Sequence, residues 1–211
     1  MQPKLIYFFG PDGVGKTTHA RLILAYLRKK GHRATLVSIK QHHTLSYLLL
    51  KLIGNKNQKL SYYGFEGKLR EKIRVVWKIL EIISLIPAII YRVFLPLMLN
   101  YLVVCDRYVL DTLVTLSYFL GEPKLLSGRL AMLLVKLIPK NSVLIHLDAD
   151  AKTILRRKRE EPLTLQLVNY YKITYKTLIR RWKLPALTID TTKAGVQEVQ
   201  RILLKLVWKQ D

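Results

Sequence analysis

The feature that most constrains this chain is a glycine-rich segment, Gly10 to Thr18, between an apolar run and an amphipathic stretch. It reads Gly-Pro-Asp-Gly-Val-Gly-Lys-Thr-Thr and matches the pattern G-x-x-x-x-G-K-[ST] at every fixed position. The apolar run before it, Lys4 to Phe9, predicts a buried strand, and Thr17 to Lys30 predicts a helix that stops at Gly31. Strand, loop and helix in this order predict a phosphate-binding P-loop, because backbone N–H groups and a helix N-terminus then point at one anion.

The loop is predicted to bind a nucleoside triphosphate together with Mg²⁺. The Lys16 ammonium is expected to reach the β- and γ-phosphates, and the Thr17 hydroxyl is expected to ligate Mg²⁺. The cofactors are therefore predicted to be ATP and Mg²⁺, with ATP held by Gly10, Pro11, Asp12, Gly13, Val14, Gly15, Lys16, Thr17 and Thr18.

Predicted strands and helices alternate along the rest of the chain. Four more strands are predicted, at Ala34 to Ile39, Tyr101 to Cys105, Ser142 to Leu147 and Ala186 to Ile189. Helices are predicted at Leu45 to Ile53, Phe65 to Leu99 with breaks at the prolines, Leu110 to Leu120, Gly128 to Leu137, Ala151 to Arg159, Leu167 to Trp182 and Val196 to Trp208. This alternation predicts an α/β fold of the three-layer P-loop NTPase type, with a five-stranded parallel sheet covered by helices on both faces. With no repeat or low-complexity linker, residues 1–211 are predicted to form a single domain.

The chain carries 36 Lys and Arg against 14 Asp and Glu, a formal net charge of +22. Such a field attracts polyanions such as nucleotides, nucleic acid or an anionic membrane surface, but a basic surface without a specific partner has the same composition. No nucleic-acid-binding motif accompanies the charge. A single cysteine, Cys105, excludes an intramolecular disulfide and favours a reducing cytoplasm, and no secretory signal precedes the loop.

One apolar stretch, Ile82 to Cys105, is long enough to cross a bilayer. Pro87 and Pro96 interrupt it, Arg92 lies in its middle, and Asp106 ends it. A buried helix followed by a buried strand is therefore predicted in preference to a transmembrane helix, and peripheral membrane contact is the less favoured alternative.

The second chemical motif, Asp106-Arg107-Tyr108, directly follows the third predicted strand. Ligands of open α/β sheets bind beyond the carboxyl ends of the strands, where a carboxylate and a guanidinium can serve Mg²⁺ and phosphate. An ion pair that closes the strand is the alternative. Beside a P-loop, the functional interpretation is favoured.

Other candidates are weaker. The basic run from Arg156 to Arg159 can neutralise charge on a bound triphosphate, or it can be an ordinary set of cations at a helix C-terminus. Lys40 stands just past the second strand and is a candidate anion contact. The neighbouring His42 and His43 lack a further ligand at zinc-site spacing, and Asp148 is predicted to cap a strand end.

With these motifs placed, the chain resembles a thymidylate kinase of the P-loop nucleoside monophosphate kinase family, over nearly its whole length. The resemblance lies in the aspartate-bearing loop Gly10 to Thr18 and in Asp106-Arg107-Tyr108 with the helix after it. It continues in Leu147-Asp-Ala-Asp150 leading to Leu155-Arg-Arg157, and in Ile189-Asp-Thr-Thr192 before the last helix. The chain would be an atypical, strongly basic member of that family.

The resemblance implies ATP- and Mg²⁺-dependent phosphoryl transfer to a nucleoside monophosphate, with dTMP as the family's default acceptor. It implies that Asp12 contacts the acceptor sugar, that Arg107 binds the acceptor phosphate, and that Arg157 lies near ATP in a short lid around 156–166. The catalytic residues are then expected to be Lys16, Arg107 and Arg157. The acceptor is expected on Asp12, Lys40, Arg107 and Tyr108, and Mg²⁺ on Thr17 and Asp106. Whether the chain forms a homodimer is left open.

Two departures from the family pattern leave the acceptor open. Lys40-Gln-His replaces the family's Arg-Glu-Pro segment, and the place of its thymine-reading arginine falls near Ile86 in an apolar run. Arg92, Arg74 and Arg70 are substitutes at other helical turns. A P-loop kinase with a non-nucleotide acceptor, and a nucleotide-dependent ATPase that binds nucleic acid, therefore remain alternatives.

Overall fold

The computed structural model describes residues 4–39, 68–158 and 163–208 of the chain. The predicted helix over 45–53, Lys40, the two neighbouring histidines and Arg159 lie outside the described residues.

Five parallel strands form one sheet, as predicted. They are β1 Leu5–Phe9, β2 Ala34–Ser38, β3 Leu102–Arg107, β4 Ser142–Asp148 and β5 Ala186–Asp190, in the order β2-β3-β1-β4-β5. The strand β1, which leads into the P-loop, lies at the centre, and its five apolar side chains are buried. A strand that is buried on both faces needs apolar residues at every position, and this strand has them at all five.

Helices cover both faces of the sheet. They are α1 Lys16–Lys29, α2 Lys68–Ile89, α3 Leu95–Met98, α4 Val109–Leu120, α5 Arg129–Lys136, α6 Ala151–Arg157, α7 Leu165–Arg181 and α8 Val196–Trp208. A π-helical turn, Ile90–Phe94, joins α2 to α3, and a 3₁₀ turn, Pro123–Ser127, precedes α5. One apolar core lies between the sheet and helices α2, α4, α5 and α7, and a second lies between the sheet and helices α1 and α8. The predicted three-layer α/β arrangement is confirmed.

The prediction that the prolines break the long helical segment is wrong. Pro87 lies inside α2, and Pro96 stands in the first turn of α3. Between them the π-helical turn widens the backbone, with the N–H of Leu95 donating to the carbonyl of Ile90. The wider turn lies where the Pro96 ring would otherwise meet the carbonyl of Arg92, four residues earlier, so the segment continues.

The prediction of a buried helix over this apolar stretch is correct for one side only. Leu85, Ile89 and Val93 are fully buried against the sheet, while the opposite side of the helix is exposed. In the part of the chain that the structure describes, the stretch Lys78–Met98 alone is long and apolar enough to cross a bilayer. An 18-residue window of it has mean hydropathy 1.9, and 22% of that window is buried. A helix in the outer layer of the fold packs on one side only, so its uniform apolarity leaves an apolar face outside.

Candidate active site

The P-loop connects β1 to α1, and its shape depends on glycine. Gly10 has φ 139°, and a Cβ atom there would lie 2.1 Å from the carbonyl oxygen of Leu147 in β4. Only glycine permits both this backbone angle and this approach. Gly15 has φ 95° and forms the N-cap of α1. The loop is thus pressed against the neighbouring strand, and the N-terminus of α1 opens into the site.

Asp12 brings the two predicted phosphate-binding cations together. Lys16 Nζ donates to the carbonyl oxygens of Gly10 at 2.6 Å and Pro11 at 2.9 Å, and to Asp12 Oδ1 at 3.1 Å. The same Asp12 oxygen accepts a hydrogen bond from the Arg107 guanidinium. The P-loop lysine and the arginine that ends β3 therefore meet at one carboxylate.

The charges of this group are fixed by their mutual contacts. Burial acts to raise the pKa of Asp12, but Lys16 and Arg107 outweigh it and hold that pKa well below its usual value. Burial acts to lower the pKa of Arg107, but the neighbouring Asp12 carboxylate has the larger effect, so this pKa is raised. Asp12 is therefore an ionised carboxylate at neutral pH and can only accept hydrogen bonds, which suits a hydroxyl donor.

Thr17 and Asp106 form a second contact between the loop and β3. The Thr17 hydroxyl donates to Asp106 Oδ2 at 2.6 Å. The other carboxylate oxygen, Oδ1, is buried and has no hydrogen-bond partner among the described residues, although buried acceptors are nearly always paired. A hydroxyl and a carboxylate with a spare oxygen suit Mg²⁺, which takes few protein ligands and shares the rest with phosphates and water. Consistent with so few ligands, the described residues contain no group of three His, Cys, Asp or Glu side chains that could hold a metal.

Arg157, at the end of α6, contacts both the P-loop and the segment after β5. Its Nη2 donates to the carbonyl of Thr191 at 2.8 Å, and Nη1 lies 3.3 Å from Thr191 Oγ1 and 3.4 Å from the carbonyl of Gly13. The Thr191 hydroxyl in turn donates towards the carbonyls of Val14 and Asp148, each at 3.1 Å. Both Arg157 and its neighbour Arg156 are exposed, but only Arg157 lies beside the P-loop and lines the cavity above it.

Tyr108, expected to contact the acceptor, is instead a core residue. Its side chain is fully buried, and its hydroxyl donates to the carbonyl of Leu137 at 2.9 Å. Its backbone N–H donates to Asp111 Oδ2 at 3.1 Å, which caps α4. The residue after Arg107 points away from the cavity because the chain turns there into α4.

Asp111 is a buried site that sequence reasoning missed. Its carboxylate accepts from the hydroxyls of Tyr7 at 2.6 Å and Tyr175 at 2.9 Å, besides the N–H of Tyr108. Burial raises the pKa of Asp111. The network joins β1, α4 and α7 directly beneath Arg107. Asp111 lies three residues after Tyr108, but Tyr-x-x-Asp is not the usual capping-box sequence, and its tyrosine hydroxyl donors are far away in the chain.

Asp148 holds two cations as well as a strand end. Its Oδ1 accepts from the N–H of Ala149 at 2.9 Å, in line with the predicted capping role. It also pairs with Lys172 at 2.6 Å and Lys176 at 3.1 Å, both on α7, which the sequence did not reveal. These contacts fasten α7 to the carboxyl end of β4, near the loop.

A cavity of about 410 Å³ opens over the loop, a size that suits a small ligand. It is lined by Asp12 to His19 and by Arg107, Arg157, Lys158, Thr191, Ala194 and Val196. Arg92 lies elsewhere: it lines a second cavity of about 400 Å³ between β2 and the end of the long helical segment, and its Nη1 donates to the carbonyl of Ser38 at 3.3 Å. Arg92 therefore does not line the P-loop cavity, and the side chains of Arg70 and Arg74 lie outside what the structure describes.

Comparison with solved structures gives a match over the whole fold. The chain is similar to the thymidylate kinase of Candida albicans, a structure described as revealing the origin of broad substrate specificity and a novel structural element. The TM-score is 0.70 over 99% of this chain and 92% of that chain, at 16% sequence identity. No protein-family model and no curated protein matches the sequence. At this identity the similarity shows the fold, and the predicted thymidylate kinase-like fold is confirmed.

Proposed function

We propose that this chain uses ATP and Mg²⁺ to phosphorylate a nucleoside monophosphate, with dTMP as the first acceptor to test. The observation that carries the proposal is the meeting of Lys16 and Arg107 at Asp12. One cation belongs to the P-loop and the other to the opposite wall of the cavity, so each can serve one of two phosphates that must be brought into line.

Each residue of this group has a proposed role. Lys16 and the N-terminus of α1 hold the transferring phosphate, and Arg107 holds the acceptor phosphate. Asp12 orients both cations and accepts a hydrogen bond from an acceptor hydroxyl. Arg157 adds positive charge from the lid, which we place around 156–166 of a single kinase domain, 1–211. Mg²⁺ bound by Thr17 and Asp106 would neutralise charge on the phosphate oxygens.

A screen of nucleoside monophosphates with ATP and Mg²⁺ tests the proposal if ADP and the phosphorylated acceptor are measured separately. We expect the two products in equal amounts, with dTMP used faster than dCMP, dGMP or dAMP. Relaxed base selection is expected, because a mostly apolar pocket discriminates by only about 10–200-fold per small group. ADP formed with inorganic phosphate, and no phosphorylated nucleotide, would refute the assignment, and stimulation of that turnover by nucleic acid would instead favour the ATPase.

A non-nucleotide acceptor is the second candidate function. It is supported by Ile86, which stands near the expected place of the base-reading arginine and is 43% exposed, and by Arg92, which lines the second cavity and not the P-loop cavity. An intact nucleotide site combined with inactivity on every monophosphate would favour this candidate. In either case we place the activity in the cytoplasm, since the single cysteine, Cys105, is a buried free thiol.

A further inference from the structure

The outer face of the long helical segment carries no charge. Of the side chains that the structure describes from residue 76 to residue 100, every exposed one is uncharged and all but one are apolar or aromatic. A surface helix of a soluble protein normally shows charged residues on this side. The exposed residues are Val76, Ile79, Ile83, Ile86, Pro87, Ile90, Tyr91, Leu95, Met98, Leu99 and Asn100.

These residues form one continuous face, which we call the α2 face. Val76, Ile79, Ile83, Ile86 and Ile90 recur three and four residues apart, so they lie in one stripe along α2, roughly 20 Å long at 1.5 Å per residue. From the π-helical turn onward the face widens to include Tyr91, Leu95, Met98, Leu99 and Tyr101. An apolar patch of this extent marks an interaction surface.

The inner side of the same helix excludes a transmembrane arrangement. Leu85, Ile89 and Val93 are buried in the main core, and Glu81 is also buried on this side. A helix that left the fold to cross a bilayer would expose that core and carry Glu81 into hydrocarbon. The α2 face can therefore meet a membrane only with the helix lying in the plane of its surface.

The sequence carries basic residues at the start of the helical segment, and one basic residue is exposed near its other end. The segment that begins the helix, 68–74, contains Lys68, Arg70, Lys72 and Arg74 against one acidic residue. At the other end Arg33 is exposed, and its carbonyl accepts from the N–H of Leu102 at 2.8 Å, beside Tyr101. An apolar surface on a chain of net charge +22 is complementary to an anionic lipid surface.

We propose that the α2 face docks this protein on an anionic membrane surface, with the helix lying in the interface. The widening of the face beyond the single helical stripe fits a broad lipid surface better than a single partner helix. Two chains of net charge +22 also repel each other. Tyr91 and Tyr101, at the wide end, are of the residue type enriched where a protein meets the lipid headgroups.

The second cavity adds to this argument. It opens among Tyr91, Leu95, Leu99 and Tyr101 at the wide end, and Arg92 forms part of its wall. An apolar slot with one guanidinium suits the acyl chain and the phosphate group of an anionic lipid. Docking would then place the protein beside the lipid phase without altering the P-loop, so this inference does not depend on the acceptor of the proposed reaction.

Co-sedimentation of the full chain with vesicles tests the proposal. Vesicles of phosphatidylcholine alone are compared with vesicles that also contain phosphatidylglycerol, at low and at high salt. We expect binding to the anionic vesicles, weaker binding to the neutral ones, and a decline with salt, since each basic residue near an anionic surface strengthens binding about fivefold. No binding to either kind of vesicle would overturn the proposal.

Matched variants separate the α2 face from general charge. The face variant combines Ile79→Glu, Ile83→Glu and Ile90→Glu, and the control combines Leu133→Glu, Leu165→Glu and Ile173→Glu, which are similarly exposed on α5 and α7. We expect the face variant to lose at least about tenfold in anionic-vesicle binding and the control to lose much less. Binding of ATP by both variants confirms that they fold. The single change Met98→Glu, at a residue 78% exposed, gives the same test with less risk to folding.

Two results would overturn the proposal. Equal losses in the face and control variants would show that binding follows net charge and not the α2 face. Alternatively, a wild-type dimer that the face variant splits into monomers, with vesicle binding unchanged, would show that a second copy covers the face.

Discussion

Two regions differ in charge: the carboxyl-end edge of the sheet around the P-loop, which we call the P-loop edge, and the α2 face. At the edge, Asp12 holds both Lys16 and Arg107, and Asp106 holds Thr17, so charged groups are close together and mutually oriented. On the described part of the α2 face no exposed residue is charged. Buried charges need partners in fixed positions, whereas apolar surface needs only removal from water. Substitutions at the P-loop edge should therefore change phosphoryl transfer, and substitutions on the α2 face should change membrane binding.

The largest expected effect is that of Lys16→Ala. Loss of the only loop cation on the β- and γ-phosphates should reduce kcat by about a thousandfold or more in a protein that still folds. Ile83→Glu, on the α2 face, should leave turnover of a soluble acceptor unchanged. Steady-state rates with both variants measure the contrast, and near-normal turnover in Lys16→Ala would rule out the proposed role of the loop.

Arg107→Ala should have the next largest effect, and it should be selective. A charge-assisted bond to phosphate contributes about 1.5–3 kcal/mol, so acceptor affinity should fall roughly ten- to a hundredfold, with a much smaller loss for ATP. Arg92→Ala, in the second cavity, is the matched control and should alter neither affinity. Separate titrations with ATP and acceptor decide; equal losses of both in Arg107→Ala would mean that Arg107 does not belong to the acceptor side.

A smaller effect is expected from the polar network beneath the edge. Asp111→Ala leaves the hydroxyls of Tyr7 and Tyr175 without their acceptor, and should lower the free energy of unfolding by about 2 kcal/mol. Ser84→Ala removes a hydroxyl that bonds only within α2 and should be almost neutral. Urea unfolding of both variants tests this, and a neutral Asp111→Ala would show that the network contributes little.

The last effect concerns pH, and it is the smallest when counted per pH unit. Burial lowers the pKa of His146 to about 4, with Asp148 opposing this and the nearby Lys176, Lys172 and Lys16 adding to it. The unfolded histidine titrates near 6.5, so between these values the unfolded chain binds more protons. Stability should therefore fall as pH falls through this window, by up to about 1.4 kcal/mol per pH unit.

His146→Leu should reduce the slope of unfolding free energy against pH between about pH 4 and 6.5, because the variant has no imidazole to bind the extra proton. Unfolding free energies measured across the window for both proteins test the prediction, and an unchanged slope in the variant would contradict it. The exposed side of the α2 face has no group that titrates near neutral pH, so substitutions there should leave the slope unaltered.

The residues at the P-loop edge were largely predictable because the sequence motifs that specify them are local. Nine consecutive residues from Gly10 to Thr18 specify the loop, and Asp106 and Arg107 directly follow an apolar strand. The position of each strand's carboxyl end then follows from the parallel topology. What the sequence did not show is the direction of Tyr108, since a residue after a strand end can turn either way.

The α2 face was not predictable in the same way. Periodicity identifies the buried side of a helix only when the other side is polar, and this helix is apolar on both. The partners of Asp111 were also hidden, because Tyr7 and Tyr175 come from distant parts of the chain that only the folded sheet and α7 bring together. Contacts of this kind depend on the assembled fold and leave no local pattern.

The central position of β1 has a consequence for how the chain is made. Leu5 pairs with Val103 on one side and Ser142 on the other, roughly 100 and 140 residues later in the chain. A ribosome adding about 5–20 residues each second completes neither neighbour until several seconds after β1 has been synthesised. The nascent apolar strand must stay unpaired for that time, exposed to chaperones and to aggregation, and the nucleotide site cannot exist before most of the protein has been translated.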